Sequence, residues 1–198
     1  MNIDLGKTQA QIDWLKQKLF LDANSPKSAG RKVKRGQVYS CELGVGVGSE
    51  LQKKRPCVIM QNDIGNINSS VTTIVPITHT NKPLKCFTTI IPKYDNNGTL
   101  ILDGYANVSG IRSIDKARIG DYICDLTSQE LKDIEKAIAV NLDMYKHYQA
   151  MDNKYNDKLV YIGKLNALLD DIKNTLGVDD NKKILEAIQK VLDKSQNL

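Results

Sequence analysis

Between Gln37 and Asp125 the chain breaks into short apolar runs divided by turn residues. That pattern allows a small barrel or sandwich and little else. Strands are expected at about Gln37–Leu43, Pro56–Gln61, Thr72–Thr78, Phe87–Ile91, Thr99–Leu102, Tyr105–Ile111 and Tyr122–Asp125, with loops at Asp63–Ser70, Thr80–Lys85 and Tyr94–Gly98. Asn97-Gly98 is a hairpin-turn pair, because both residue types tolerate positive φ. The sheet is therefore expected to be curled and mostly antiparallel.

One stretch inside this region combines flexibility, charge and a strand edge. Gly44, Gly46 and Gly48 lead to Glu50, then to the basic run Lys53, Lys54 and Arg55, and Pro56 opens an apolar strand of Cys57, Val58, Ile59 and Met60. Proline suits a strand's first position and holds the preceding residue extended. Arg55 is then a guanidinium held beside loop N–H groups, a site suited to phosphate. A solvated basic turn is the plainer reading of the same residues.

The 198-residue chain suits one medium domain with appendages, and its net charge of +5 is unevenly placed. Lys27, Arg31, Lys32, Lys34 and Arg35 precede the first strand, which favours a polyanionic partner or serves surface solubility. Cys41, Cys57, Cys86 and Cys124 lie singly, without a C-x-x-C or a histidine cluster. They read as small buried hydrophobes in a reducing compartment, not as a disulfide frame or zinc site. With no leader-like or spanning apolar run, a soluble cytoplasmic protein is expected, with no membrane association, metal or cofactor.

The flanks are helical by periodicity. Residues 7–22 place Ile12, Leu15 and Leu19 at helical spacing with Trp14 and Phe20 beside them, and Asn24–Gly30 is a linker by composition. This first helix docks on the body or on a second protomer, or is a loosely held tail. Thr127-x-x-Glu130 is a capping box opening a helix striped by Ile134, Ile138, Leu142 and Tyr145. Beyond it, Ile162, Leu165, Leu169, Ile172 and Leu176 form a heptad seam ending at Gly177, and a second helix offers Ile184, Ile188 and Val191. The division expected is residues 1–33 as helix and linker, 34–150 as the barrel domain, and 151–198 as a helical hairpin extension.

Five elements in order, Arg35-Gly-Gln-Val-Tyr, Gly48-Ser-Glu, Arg55-Pro-Cys-Val-Ile-Met-Gln-Asn-Asp, Val75-Pro-Ile-Thr and Ile111-Arg-Ser-Ile-Asp-Lys-Ala-Arg, resemble the MazF/PemK family of toxin endoribonucleases. The resemblance spans roughly Lys34 to Tyr145 and implies a mainly β fold with α elements, an SH3-like small barrel of the MazF/PemK/CcdB type with a helix packed on it. It implies a type II toxin–antitoxin toxin that cuts single-stranded mRNA at specific sequences without a metal. It further implies a homodimer and a cognate antitoxin partner.

Metal-free RNA cleavage by the substrate's own 2′-OH requires stabilisation of phosphorane charge, a proton acceptor and a proton donor. The resemblance assigns catalysis to Arg55 and Thr78, with Glu50 accepting the 2′-OH proton or orienting Arg55. Thr78 read alone is equally a strand residue chosen for β propensity. His79 is set aside, since strand alternation turns it away from a cleft faced by Thr78 unless the strand has already ended. Candidates for holding RNA are Ser49, Lys53, Lys54, Gln61, Asn62, Asn68, Lys82, Lys85 and Arg112. Two departures from the family pattern are the side chains Gln52, Lys53 and Lys54 where many relatives have glycine before Arg-Pro, and Ser109-Gly110 where an acid and a glutamine are common. The barrel also occurs in CcdB-type gyrase poisons, a non-enzymatic alternative, and the C-terminal helices provide another if they restrain the barrel.

Overall fold

The computed structural model describes residues 4–80 and 85–195. Contacts divide the chain into two compact units, Met1–Tyr145 and Lys146–Leu198.

The first unit begins with α1, Leu5–Ser28, capped by the Asp4 carboxylate accepting from the Lys7 N–H at 3.1 Å. It runs through Pro26, so most of the expected linker is helix. Ile12, Leu15 and Leu19 are solvent-exposed, whereas Trp14, on the opposite face, packs under the Arg118 guanidinium at 5.2 Å. Docking is thus set by Trp14, by the Ser25 hydroxyl donating to Asp115 at 2.9 Å, and by Arg31 donating to the carbonyls of Ile119 and Gly120. The leucine stripe takes no part in it.

The sheet comprises β1 Gln37–Glu42, β2 Lys54–Ile59, β3 Val71–Thr78, β4 Phe87–Tyr94, β5 Leu100–Asn107, β6 Arg112–Asp115 and β7 Ile119–Asp125. A short helix α2, Asp63–Asn68, precedes β3 where a loop was expected. Strand order is β4-β5-β3-β2-β1-β7, with β6 added to β3, and every pairing is antiparallel. The long strand β3 closes the curl: Val71–Ile74 pair with β6, whereas Ile77 and Thr78 pair with β5. Two expected strands merge into β5 through Gly104, and β6 is a strand for which none was expected.

Strand β2 begins two residues before Pro56, not at it. Pro56 is opposite Ser40 of β1, while pairing with β3 starts only at Cys57, so the missing N–H falls where the strand is bonded on one side. Further along, β2 is covered on both faces. Val58 and Met60 join Val38, Val75, Ile77, Ile90, Leu102, Ala106 and Ile134 in one core, and Cys57 and Ile59 join Tyr39, Cys41, Leu43, Ile74 and Ile114 in the other. Burial on both sides is why this strand is apolar throughout rather than alternating.

Helix α3, Ser128–Asn141, seals the first core with Ile134 and Ala137, and its N-terminus carries the expected capping box. It ends before the expected stripe does, because Asp143 takes a left-handed φ of 54° and Leu142 is exposed. All four cysteines are free, with Cys41 and Cys57 buried and Cys86 and Cys124 half-buried. The Cys41 hydrogen bond and burial push the Cys57 thiol pKa well up, which keeps it protonated and unreactive.

Lys116 is an interior cation 1% exposed. Its ammonium donates to the Asn66 carbonyl at 2.6 Å, in the last turn of α2, and reaches the Ala29 carbonyl that caps α1 at 3.5 Å. Two helix C-termini, each with partial negative charge, offset its desolvation.

The second unit holds α4, Tyr145–Leu176, and α5, Asn181–Ser195. Gly177 at φ 63° ends α4 as expected, with the Val178 N–H returning to the Lys173 carbonyl at 3.0 Å. The expected seam is only half covered: Leu169, Ile172 and Leu176 are partly buried and Ile184 is buried, but Ile162, Leu165, Ile188 and Val191 are exposed. No helix among the described residues is long and apolar enough to cross a membrane.

Candidate active site

Register brings the two central candidates together. Cys57 is opposite Pro76, so continuing the β2–β3 register by two residues sets Arg55 opposite Thr78, where β3 turns away to pair with β5. The divergence opens a cleft of about 540 Å³ lined by Lys53, Lys54, Arg55, Thr78, His79 and Asp103, with an apolar wall at Leu100, Ile101 and Leu102. Arg55 is half-buried, and its Nε donates to the Gln52 carbonyl at 2.7 Å. Among the described residues no carboxylate pairs with it. Its guanidinium is therefore anchored at one edge while keeping its charge uncompensated. Thr78 is 7% exposed, and its hydroxyl oxygen accepts from the Thr80 N–H at 3.3 Å, which leaves the hydroxyl proton available for donation.

The loop from Gly44 to Lys53 is tied at its base, since Lys53 N–H donates to the Gly44 carbonyl at 2.7 Å and Lys53 itself sits at φ 68°. Trp14 of α1 lies against Gly44, where a Cβ would come within 2.3 Å of its ring. Glu50 is turned into this loop, its carboxylate accepting from the Val47 N–H at 3.0 Å. It lines a separate opening of about 360 Å³ with Ser49, Asn107, Ser109 and Arg112, not the cleft of Arg55 and Thr78. Arg112 donates to the Leu51 carbonyl at 2.8 Å, so this loop is held by guanidinium groups from two strands.

The remaining candidates divide by location. Lys53 and Lys54 rim the first cleft, although Lys54 also meets Asp121 at 3.8 Å on the surface. Gln61 and Asn62 follow the far end of β2, about 20 Å along the strand direction from Arg55, and Asn68 ends α2 beyond them. There Gln61 donates to the Val71 carbonyl at 3.2 Å, Asn62 caps α2 by accepting from Gly65 N–H at 2.7 Å, and Asn68 donates to the Ile64 carbonyl at 2.9 Å. Lys85 is exposed, and Lys82 lies outside the described residues. Of the basic group before β1, Arg31 is stacked over Tyr39 at 5.4 Å and Arg35 pairs with Glu135 at 2.6 Å, so both are engaged in holding the fold.

His79 is the residue that alternation misjudged. Strand β3 ends at Thr78, so the next side chain escapes the two-sided rule and lines the same cleft. Asp103, whose carboxylate Oδ1 is 3.2 Å from His79 Nδ1, was not singled out at all. Its signal was a carboxylate set between apolar Leu102 and a glycine. That glycine has a reason: Gly104 has φ 109°, and a Cβ there would lie 2.7 Å from the Thr78 carbonyl oxygen. Gly104→Ala is expected to cost about 1–3 kcal/mol and to push Thr78 out of register. A thermal melt checks this, and an unchanged melting temperature would contradict the close approach.

Among the described residues there is no group of three or more His, Cys, Asp or Glu side chains arranged to hold a metal ion. A strongly curled antiparallel sheet, with a cleft rimmed by Lys53, Lys54 and Arg55 where two strands part, defines a small-barrel protein. Residues 34–142 match the family of PemK-like, MazF-like toxins of type II toxin–antitoxin systems. The chain belongs to this family. It is 34% identical over 110 residues to endoribonuclease EndoA of Bacillus subtilis, covering 56% of this chain and 94% of that protein. Against endoribonuclease MazF1 of Mycobacterium bovis it is 28% identical over 110 residues, covering 56% of this chain and 92% of the relative. The crystal structure of MazF from Deinococcus radiodurans matches 58% of this chain and 99% of its own length, with a TM-score of 0.50 at 16% identity, a likeness of fold.

Proposed function

We propose that the chain is the endoribonuclease toxin of a type II toxin–antitoxin pair, cutting single-stranded mRNA without a metal in the cytoplasm. The observation that carries this is the convergence of an unpaired Arg55 guanidinium and the Thr78 hydroxyl on one open cleft, in a chain of this family. A ribose 2′-oxygen attacks the adjacent phosphorus, Arg55 stabilises the charge gathering on the phosphoryl oxygens, and Thr78 donates a hydrogen bond to the phosphate. The products are a 2′,3′-cyclic phosphate and a 5′-hydroxyl. Lys53 and Lys54 hold the flanking phosphates, as salt-dependent contacts along the backbone.

Glu50, turned away from the cleft, acts by shaping the loop that presents Arg55 rather than by touching the 2′-OH. Ser49 and Arg112 border the second opening and contact neighbouring nucleotides there. Lys85 and Lys82 add charge beyond the end of β3. Gln61, Asn62 and Asn68 reach RNA only if it crosses to the other end of the sheet, as it would in a homodimer. The partner antitoxin supplies an acidic segment that competes for the same cations. Catalysis resides in residues 34–150, and the helices of 151–198 are an extension that adds stability or association. A gyrase-poison role is disfavoured by membership of a family whose curated relatives are named endoribonucleases.

Incubating purified protein with a long unstructured RNA in EDTA is expected to produce ends at one short motif, all bearing cyclic phosphate. Intact RNA, or cleavage only on addition of a divalent ion, would overturn this reading.

A further inference from the structure

We propose that His79 is the general base of this site, oriented by Asp103, an inference that rests on the nuclease reading. The cleft needs a group that can take the 2′-OH proton, and the candidates placed there by sequence do not supply one. The Arg55 guanidinium offers only donors, Thr78 has a hydroxyl, and Glu50 lies in a different opening with its carboxylate engaged by Val47. Lys53 and Lys54 are ammonium groups. His79 carries the imidazole among the residues lining the cleft, a ring that offers an acceptor nitrogen as well as a donor.

The geometry suits that role. His79 follows Thr78 directly and lines the same cleft, with Nδ1 3.2 Å from the Asp103 carboxylate. The contact is an ion-pair distance without hydrogen-bond alignment, between side chains 79% and 40% exposed; a small rotation of the exposed imidazole that aligned it would hold the proton on Nδ1 and leave the Nε2 lone pair free to accept. A carboxylate fixing the tautomer of a catalytic imidazole also stabilises the imidazolium that forms. Gly104 lies beside this pair: a Cβ there would collide with the Thr78 carbonyl oxygen at 2.7 Å, while its 3.5 Å distance to His79 Nδ1 would be ordinary contact. The pairing of β3 with β5 therefore delivers the phosphate ligand and the base-orienting carboxylate to one place. Charged groups lining the cleft beside His79 are Asp103, Lys53, Lys54 and Arg55.

In the step, Nε2 takes the proton from the 2′-OH as the 2′-oxygen bonds to phosphorus. The phosphorus–O5′ bond breaks with its electron pair leaving on the 5′-oxygen, which takes a proton from solvent water. The imidazolium returns its proton to solvent.

Single-turnover cleavage of an RNA carrying the mapped motif, measured from pH 5 to 9, tests this with wild type, His79→Ala, His79→Gln, Asp103→Asn and Asp103→Glu. Wild-type kcat is expected to fall on acidification, because only neutral imidazole accepts the proton. Both His79 variants should be slower by about 10²–10⁴-fold at pH 7 and lose that acid limb, with melting temperatures unchanged. Added imidazole should restore part of the His79→Ala rate. Asp103→Asn should lower kcat without moving KM, and Asp103→Glu should recover part of it, which marks Asp103 as a positioning residue. His79 variants that keep the wild-type rate and acid limb overturn the role of His79 and leave the nuclease standing. A wild-type protein that cuts no RNA overturns the nuclease reading and the base together.

Discussion

Arg55→Ala is expected to reduce RNA cleavage by about 10²–10³-fold or more while the protein remains folded. The loss is large because the guanidinium contributes where charge develops in the transition state, on a cleft whose other wall is apolar Leu100, Ile101 and Leu102. The fold survives because Arg55 is half-buried and, among the described residues, its side chain's hydrogen bond is the one from Nε to the Gln52 carbonyl, so the backbone pairing of β2 is untouched. Arg55→Lys should recover only part of the rate, since an ammonium cannot present two parallel donors to a phosphate. Initial rates on an RNA with a single cleavable site decide the matter, with circular dichroism as the check on folding. A 2′-deoxy substitution at that site should block the wild-type protein altogether. If Arg55→Ala cut at the wild-type rate, phosphate stabilisation would have to come from Lys53 or Lys54.

Glu130→Ala is expected to have the largest effect on stability. The carboxylate, its side chain 3% exposed, accepts from the Lys93 ammonium at 2.8 Å, the Ile91 N–H at 2.9 Å, and the Thr127 N–H and hydroxyl at 2.8 Å each. It therefore caps α3 and ties that helix to β4 at the same time. Removing it strands a largely buried ammonium and an N–H, a loss of about 3–5 kcal/mol, or roughly 6–20 °C in Tm for a chain of this size.

The pH dependence has a definite sign. Burial pushes the Glu130 carboxyl up, but the Lys93 hydrogen bond and those from Thr127 and Ile91 outweigh it, so the folded pKa lies below the usual glutamate value. A depressed folded pKa contributes stability above the unfolded pKa of about 4.3, and that contribution is lost as pH falls from there through the folded value. Urea midpoints for wild type should drop below about pH 4.3, whereas those of Glu130→Gln should start lower and fall less over the same range. Parallel curves for the two proteins would contradict the depressed pKa.

Local chemistry made much of the architecture legible. Thr127 and Glu130 announced the start of α3 because a capping box is a contact between residues three apart, and Gly177 announced the end of α4 for a similar reason. Strand positions followed from runs of apolar residues between turn formers. Boundaries were missed where a distant partner overrode local preference. Gly104 read as a break, yet its pairing with Ile90 of β4 carries one strand through it at a φ of 109° that glycine tolerates. Asn24–Gly30 read as a linker, but the helix continues through Pro26 to Ser28, and Ser25 and Arg31 pin that end of α1 to the body. The stripe of Ile12, Leu15 and Leu19 read as a docking face, and a single tryptophan on the other side decided the matter.

The candidate site divides in the same way. Arg55 and Thr78 were chosen by motif, and their meeting follows from a register set by pairs such as Cys57 opposite Pro76. Glu50 was chosen by the same logic, but its loop folds the carboxylate back onto Val47.

Taken alone, the amino-acid order determined the class of fold, the capped helices and the identities of the arginine and threonine, because propensity, periodicity and motif act over a few residues. Only the tertiary structure decided that His79 and Asp103 share the cleft, that Glu50 does not, and that Arg31 and Arg35 hold the body together. Those outcomes depend on where β3 ends and which strand it pairs with next, and strand register between residues far apart in the chain has no local signature.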